Sequence, residues 1–123
     1  MKLTVLREDF AICRLNDFDL ADCHSRYVFF SKTDEEISLV CQSHHVPANA
    51  LEIEDGWRAL RVDGVLDLGA VGVIASITQT LAAMQVAVFV ISTFQTDYIL
   101  VKERQLQKAG VCLREAGFEV EDR

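Results

Sequence analysis

An α+β fold is predicted from three observations. Over residues 57–121 the apolar pattern alternates between a period of two and a period of three to four, in the order strand, helix, strand, strand, helix, strand. Ser31–Val40 aligns without gaps on Ser92–Val101 at an offset of 61 residues, which suggests an internal duplication with a shortened first copy. The 123 residues are 50% apolar and 25% charged, enough core for one ordinary domain or two small ones and too apolar for disorder. The order of elements is that of the ferredoxin-like βαββαβ unit, so the expectation is two such units in tandem, antiparallel sheets with helices on one face. Residues 1–56 would form the shortened unit and residues 57–123 the complete one.

Leu3–Leu6 and Phe10–Leu15 are apolar runs broken by Arg7-Glu8-Asp9, and they predict a strand pair or one strand with a turn. Asn16 or Asp17 can cap one or two helical turns through Phe18, Leu20 and Ala21. Tyr27–Phe30 and Ile37–Cys41, rich in aromatic and β-branched residues, flank a polar Ser31–Glu35 linker and predict a hairpin. Pro47, the only proline, forces Val46 to be extended and places a connection near residues 43–52.

Trp57–Val62 alternates as a strand and ends at the turn pair Asp63-Gly64. Val71, Ile74, Ile77, Leu81 and Met84 then fall on one face of a helix from about Ala70 to Met84. Val86–Ile91 and Tyr98–Val101 are strands on either side of Ser92–Asp97, and Leu106, Ala109, Leu113 and Ala116 mark a second helix closed by Gly117. Phe118–Val120 is a last strand. Ile74, Ile77, Leu81, Val88, Val90, Leu100, Leu106 and Leu113 are the expected core.

Twelve basic against 19 acidic residues give a net charge of −7, which repels a polyphosphate backbone, so no nucleic-acid partner is expected. Lys2, Arg7, Glu8 and Asp9 leave no room for a signal-peptide core, and no window has the roughly 18 to 20 apolar residues of a membrane span. The expectation is a cytoplasmic protein with no membrane contact. Cys13, Cys23, Cys41 and Cys112 have neither metal-knuckle nor disulfide-framework spacing and are expected to be reduced and buried. Cys41 with His44 and His45, or Cys23 with His24, could suggest a nucleophile and base or metal ligands, but no orienting group or oxyanion site accompanies them. The sequence thus predicts no catalytic residue, no metal and no cofactor.

The run Val62-Asp63-Gly64-Val65-Leu66-Asp67-Leu68-Gly69-Ala70-Val71-Gly72-Val73-Ile74-Ala75-Ser76, followed by Ile91-Ser92-Thr93-Phe94-Gln95-Thr96-Asp97-Tyr98-Ile99-Leu100-Val101, resembles the ACT domain of the CASTOR-related group. The resemblance covers residues 57–121 and implies a regulatory protein that binds an amino acid or related small molecule at a domain or subunit interface. It also implies a homodimer that rebuilds a four-domain assembly. The ligand-binding residues it implies are Gly72, Val73, Ile74, Ser92, Thr93, Phe94, Thr96 and Asp97.

The residues themselves admit this reading and a plainer one. Gly69 and Gly72 at the strand-to-helix corner let a ligand approach the backbone, and free helix amides suit a carboxylate; equally, they permit a tight turn and close helix packing. Ser92, Thr93, Thr96 and Asp97 suit an ammonium or guanidinium group, or else form the turn. Ser31 and Glu36 hold the corresponding places in the echo, amid the more charged Lys32, Asp34 and Glu35. The element order predicts the glycine corner and the Ser92–Asp97 hairpin at opposite ends of the sheet, so that a dimer or the first copy would have to join them. An ACT-like dimer that has lost its ligand is the alternative function.

Overall fold

A computed structural model describes residues 1–64 and 71–123. Two compact units emerge, residues 8–57 and residues 1–7 with 58–123. The first seven residues, assigned above to the N-terminal unit, thus group with the C-terminal one.

The larger unit contains strands β1 (Lys2–Val5), the last residues of β5 (Glu52–Val62), β6 (Phe89–Ser92), β7 (Asp97–Lys102) and β8 (Glu119–Asp122), with helices α1 (Val73–Ala83) and α2 (Leu106–Glu115). β7 pairs with both β5 and β6, β5 pairs antiparallel with β1, and β1 pairs in parallel with β8. The sheet order is therefore β6-β7-β5-β1-β8. The βαββαβ order is as expected, and the N-terminal strand is inserted between the unit's first and last strands. Leu3, Val5, Leu60, Val62, Ile99, Val101 and Val120 alternate onto one sheet face and pack against Ile77 and Leu81 of α1 and Ala109 and Leu113 of α2. Both helices cover that face because their apolar stripes have no other partner.

Of the expected core, Ile77, Leu81, Leu100 and Leu113 are buried, and Ile74, Val88 and Leu106 pack against the cluster half-buried. Val90 is a correction: it is 37% exposed, because its strand pairs on one side only among the described residues. The first helix begins at Val73 after Gly72, whose φ of +84° is left-handed and needs no side chain; the expected start at Ala70 lies outside the described residues. Among the described residues no helix is long and apolar enough to cross a membrane.

The smaller unit holds β2 (Phe10–Leu15), β3 (Val28–Lys32), β4 (Ile37–Gln42) and the first residues of β5, all antiparallel in the order β3-β4-β2-β5. Helices are absent from its described residues apart from a 3-10 turn at Ser43–His45. Phe18 and Ala21 from one connection, and Val46 and Ala50 from the other, cover Ala11, Cys13, Leu15, Leu39 and Cys41. The shortening of this copy thus lies in the two connections that in the larger unit are α1 and α2. Asn16–Asp17 starts no helix; the Asp17 carboxylate accepts from the Asp19 amide in a local turn instead.

Candidate functional site

The hairpin between β6 and β7 is closed by two threonines. Thr93 N–H donates to the Thr96 carbonyl at 2.8 Å, the Thr93 hydroxyl donates to the same carbonyl at 2.9 Å, and Thr96 N–H donates to the Thr93 hydroxyl at 3.3 Å. The β3–β4 hairpin repeats this with Thr33 and Glu36: Thr33 N–H donates to the Glu36 carbonyl at 2.9 Å and Glu36 N–H to the Thr33 hydroxyl at 3.1 Å. The structural offset between the copies is therefore 60 residues. The same shift carries Ile37–Gln42 onto Asp97–Lys102 and the 3-10 turn Ser43–His45 onto Glu103–Gln105. The expected offset of 61 is corrected by one. Identity at Ser31/Ser92 favours 61, but the threonine closures of the two turns and the bounds of the strand and 3-10 turn that follow coincide at 60. Thr96, not Asp97, is the counterpart of Glu36.

Thr96 is also what fixes the hairpin to the rest of the unit. It is 7% exposed, and its hydroxyl donates to the Val62 carbonyl at the end of β5 over 2.6 Å. The hairpin and the start of the connection leading to Gly72 therefore sit at one end of the sheet. The expectation that they lie at opposite ends is wrong: both β5 and β6 run beside β7, and a crossover through α1 returns the chain in the same direction, bringing both strand ends together.

Around this end, Ser92 pairs with Asp97 across the hairpin, and Phe94 at its tip is 80% exposed. Asp97 alternates onto the helix-covered side with Ile99, and its carboxylate has neither a hydrogen bond nor an ion pair among the described residues. Gly72 is exposed at the N-terminus of α1 and its carbonyl accepts from Ser76 N–H at 3.0 Å. Val73 and Ile74 are half-buried, Ile74 against the core. Gly69 lies outside the described residues. Thr93, Thr96 and the end of β5 are thus brought together, whereas the described residues do not place Gly72–Ile74 against the hairpin.

Sequence reasoning missed a cavity of about 700 Å³ at the same end, lined by Thr4, Arg61, Asp63, Thr96, Tyr98 and Glu121 among others. Thr4, Arg61, Tyr98 and Glu121 each neighbour a core residue in their strand, so they share the helix-free face. Alternation through Val62, had it been followed past the strand's apolar members, would have paired Arg61 with Asp63 there. The Thr4 hydroxyl reaches both Asp63 oxygens, at 2.8 and 2.7 Å; Lys2 Nζ lies 2.9 Å from Glu121, whose hydrogen bond and charge raise the lysine pKa.

Cys13, Cys41 and Cys112 are buried and free, whereas Cys23, expected to be buried, is exposed on a connection that has no helix to cover it. Burial pushes the Cys41 thiol up to about 12 and raises that of Cys13, the opposite of what a nucleophile needs. The His44 and His45 ring centroids lie 4.0 Å apart with the rings tilted by 54°.

A family model described as ACT domain matches residues 52–115. Among solved structures, the chain is similar to protein Atu0741 from Agobacterium tumefaciens, at 28% identity and a TM-score of 0.88, over 99% of this chain and 92% of that one. It is also similar in fold to the ligand-free regulatory subunit of aspartate kinase from Thermus thermophilus, at 8% identity and a TM-score of 0.69, over 94% of this chain and 96% of that one. A third similar structure is E. coli aspartokinase III in complex with aspartate and ADP, at 13% identity and a TM-score of 0.66, over 94% of this chain and 33% of that enzyme.

Proposed function

The chain belongs to the ACT domain family, and from that premise we propose that it is a regulatory or sensor protein that binds a small molecule, an amino acid, at an ACT-domain interface. The observation that carries the reading is the Thr96 hydroxyl bound to the Val62 carbonyl, which holds the Ser92–Asp97 hairpin at the strand end from which the chain departs toward Gly72. In this reading the amides of Gly72, Val73 and Ile74 take the ligand carboxylate, and Ser92, Thr93 and Asp97 take its cationic group. The Asp97 carboxylate, without a partner among the described residues, supports that role. Phe94, 80% exposed, is the apolar edge that a second ACT domain covers.

The finer assignment follows the same line: a member of the CASTOR-related group, cytoplasmic and without catalysis, in which residues 8–57 are the shortened ACT-like module. A homodimer then supplies the second domain of the interface. A ligand-free ACT-like dimer is favoured over this only by the exposed Val71 and Phe94, which an interface alone would also bury.

The test is a panel of the common amino acids in thermal shift, followed by calorimetry on Asp97→Asn. A ligand at a hundred times its dissociation constant should stabilise the fold by about 2.7 kcal/mol. The variant should lose roughly 1.5 to 3 kcal/mol of binding with the unliganded melting temperature unchanged. Binding by no amino acid would leave the ligand-free dimer as the surviving reading, and unchanged affinity in the variant would remove Asp97 from the site.

A further inference from the structure

We propose that the cavity on the helix-free face is a second ligand site, distinct from the hairpin site on the other side of the sheet, that takes a free α-amino acid with its carboxylate on Arg61. The two faces follow from strand alternation. Asp97 shares the side of Ile99 and the helices, whereas Arg61 and Tyr98 share the opposite side. Thr96 closes the end of the sheet between them.

Arg61 is the anomaly that calls for a ligand. Its side chain is only 26% exposed, yet among the described residues the guanidinium makes no hydrogen bond, and its one charge contact is Nε to Asp63 Oδ1 at a long 3.9 Å. Nor does Asp63 need it: the Thr4 hydroxyl already binds that carboxylate at 2.7 to 2.8 Å, and Lys2 stands 3.9 Å away. The half-buried side chain borders the cavity with five guanidinium donors, and a planar carboxylate there matches its fork.

The lining also states what kind of carboxylate. Asp63 and Glu121 stand beside Arg61 and Arg123, with Lys2 2.9 Å from Glu121, so charges of both signs meet at the cavity and a zwitterion matches it better than a plain anion such as phosphate. The ammonium group of such a molecule faces the Glu121 side of the cavity while its carboxylate meets Arg61. A volume of about 700 Å³ accommodates an amino acid of any side-chain size.

The experiment is a titration of the isotopically labelled full chain, followed by NMR at the Arg61 Nε–H and the backbone amides of Thr4, Arg61 and Tyr98. Four probes are added separately: L-alanine, L-glutamate, propionate and inorganic phosphate. An amino acid should move these resonances together, propionate and phosphate far less. Arg61→Gln and the charge-conserving Arg61→Lys should each weaken that response roughly ten- to a hundred-fold, the worth of a hydrogen-bonded charge. Asp97→Asn should leave it unchanged while weakening binding at the hairpin, so failure of one site is separable from failure of the other. Silence at these resonances with both amino acids would overturn the proposal. So would an equal response to phosphate, or an Arg61→Lys variant that is folded and binds like the parent.

Discussion

At the residue scale, Thr96 couples three pieces of the chain through one side chain: the hairpin turn, the end of β5 and the wall of the cavity. Thr96→Val keeps the shape and removes the hydroxyl, stranding the Val62 carbonyl in a buried place. The expected cost is about 1 to 3 kcal/mol in urea unfolding, and Thr96→Ser should recover most of it. The buried thiols give the fold an alkaline limit. Burial holds Cys41 near 12 and raises Cys13, whereas in the unfolded chain both return to the ordinary range near 8.5. The unfolded state therefore ionises first as the pH rises. Stability from these thiols is complete below about pH 8 and falls as the pH climbs toward 12, by at most about 1.4 kcal/mol per pH unit for each group. Urea midpoints between pH 8 and 11 should fall less steeply in Cys41→Ala than in the parent; parallel slopes would assign the loss to other groups.

At the scale of elements, α1 shows how a helix can begin without a side-chain cap. Gly72 supplies the left-handed turn, and among the described residues no side chain caps the first amides. A Cβ added at Gly72 meets nothing within 4 Å, so Gly72→Ala should cost only the backbone penalty of a left-handed residue, about 1 to 2 kcal/mol. Gly72→Asn should cost less, since asparagine tolerates that conformation. Chemical denaturation of the two variants checks the order. A loss in alanine well above this, or an equal loss in asparagine, would overturn the backbone account. The two threonine-closed hairpins show the opposite economy, in which one turn chemistry, Thr33 with Glu36 and Thr93 with Thr96, is used in both copies.

For the whole molecule, the strand that matters most to the C-terminal unit is the one farthest from it in sequence. β1 sits between β5 and β8, and Leu3 and Val5 are wholly or almost wholly buried in that unit's core. A chain lacking residues 1–7 should lose the cooperative unfolding of the larger unit, since burying each such side chain contributes about 1.5 to 3 kcal/mol and the β5 and β8 edges would be left bare. Hydrogen exchange should then show amides of β7 and α2 unprotected. Their persistence at full protection would show that β5 and β8 can pair without the inserted strand.

The amino-acid sequence by itself determined the element order of residues 57–121, because each element there keeps a clean period and ends at a turn residue such as Asp63-Gly64 or Gly117. It also carried the family, through motifs that are contiguous in the chain. The placement of β1 was decided only by the tertiary structure, since a four-residue apolar strand specifies its own face and not its neighbours. The repeat register also needed the structure: Ser31 and Ser92 match as letters, but the turn closures of Thr33 with Glu36 and Thr93 with Thr96 set the offset. The shared end of β5 and the β6–β7 hairpin follows from a crossover direction that no local pattern records. Arg61 was legible as a strand residue and illegible as a candidate site, because that reading lies in the cavity it borders and in the acceptors it lacks among the described residues, neither of which a sequence shows.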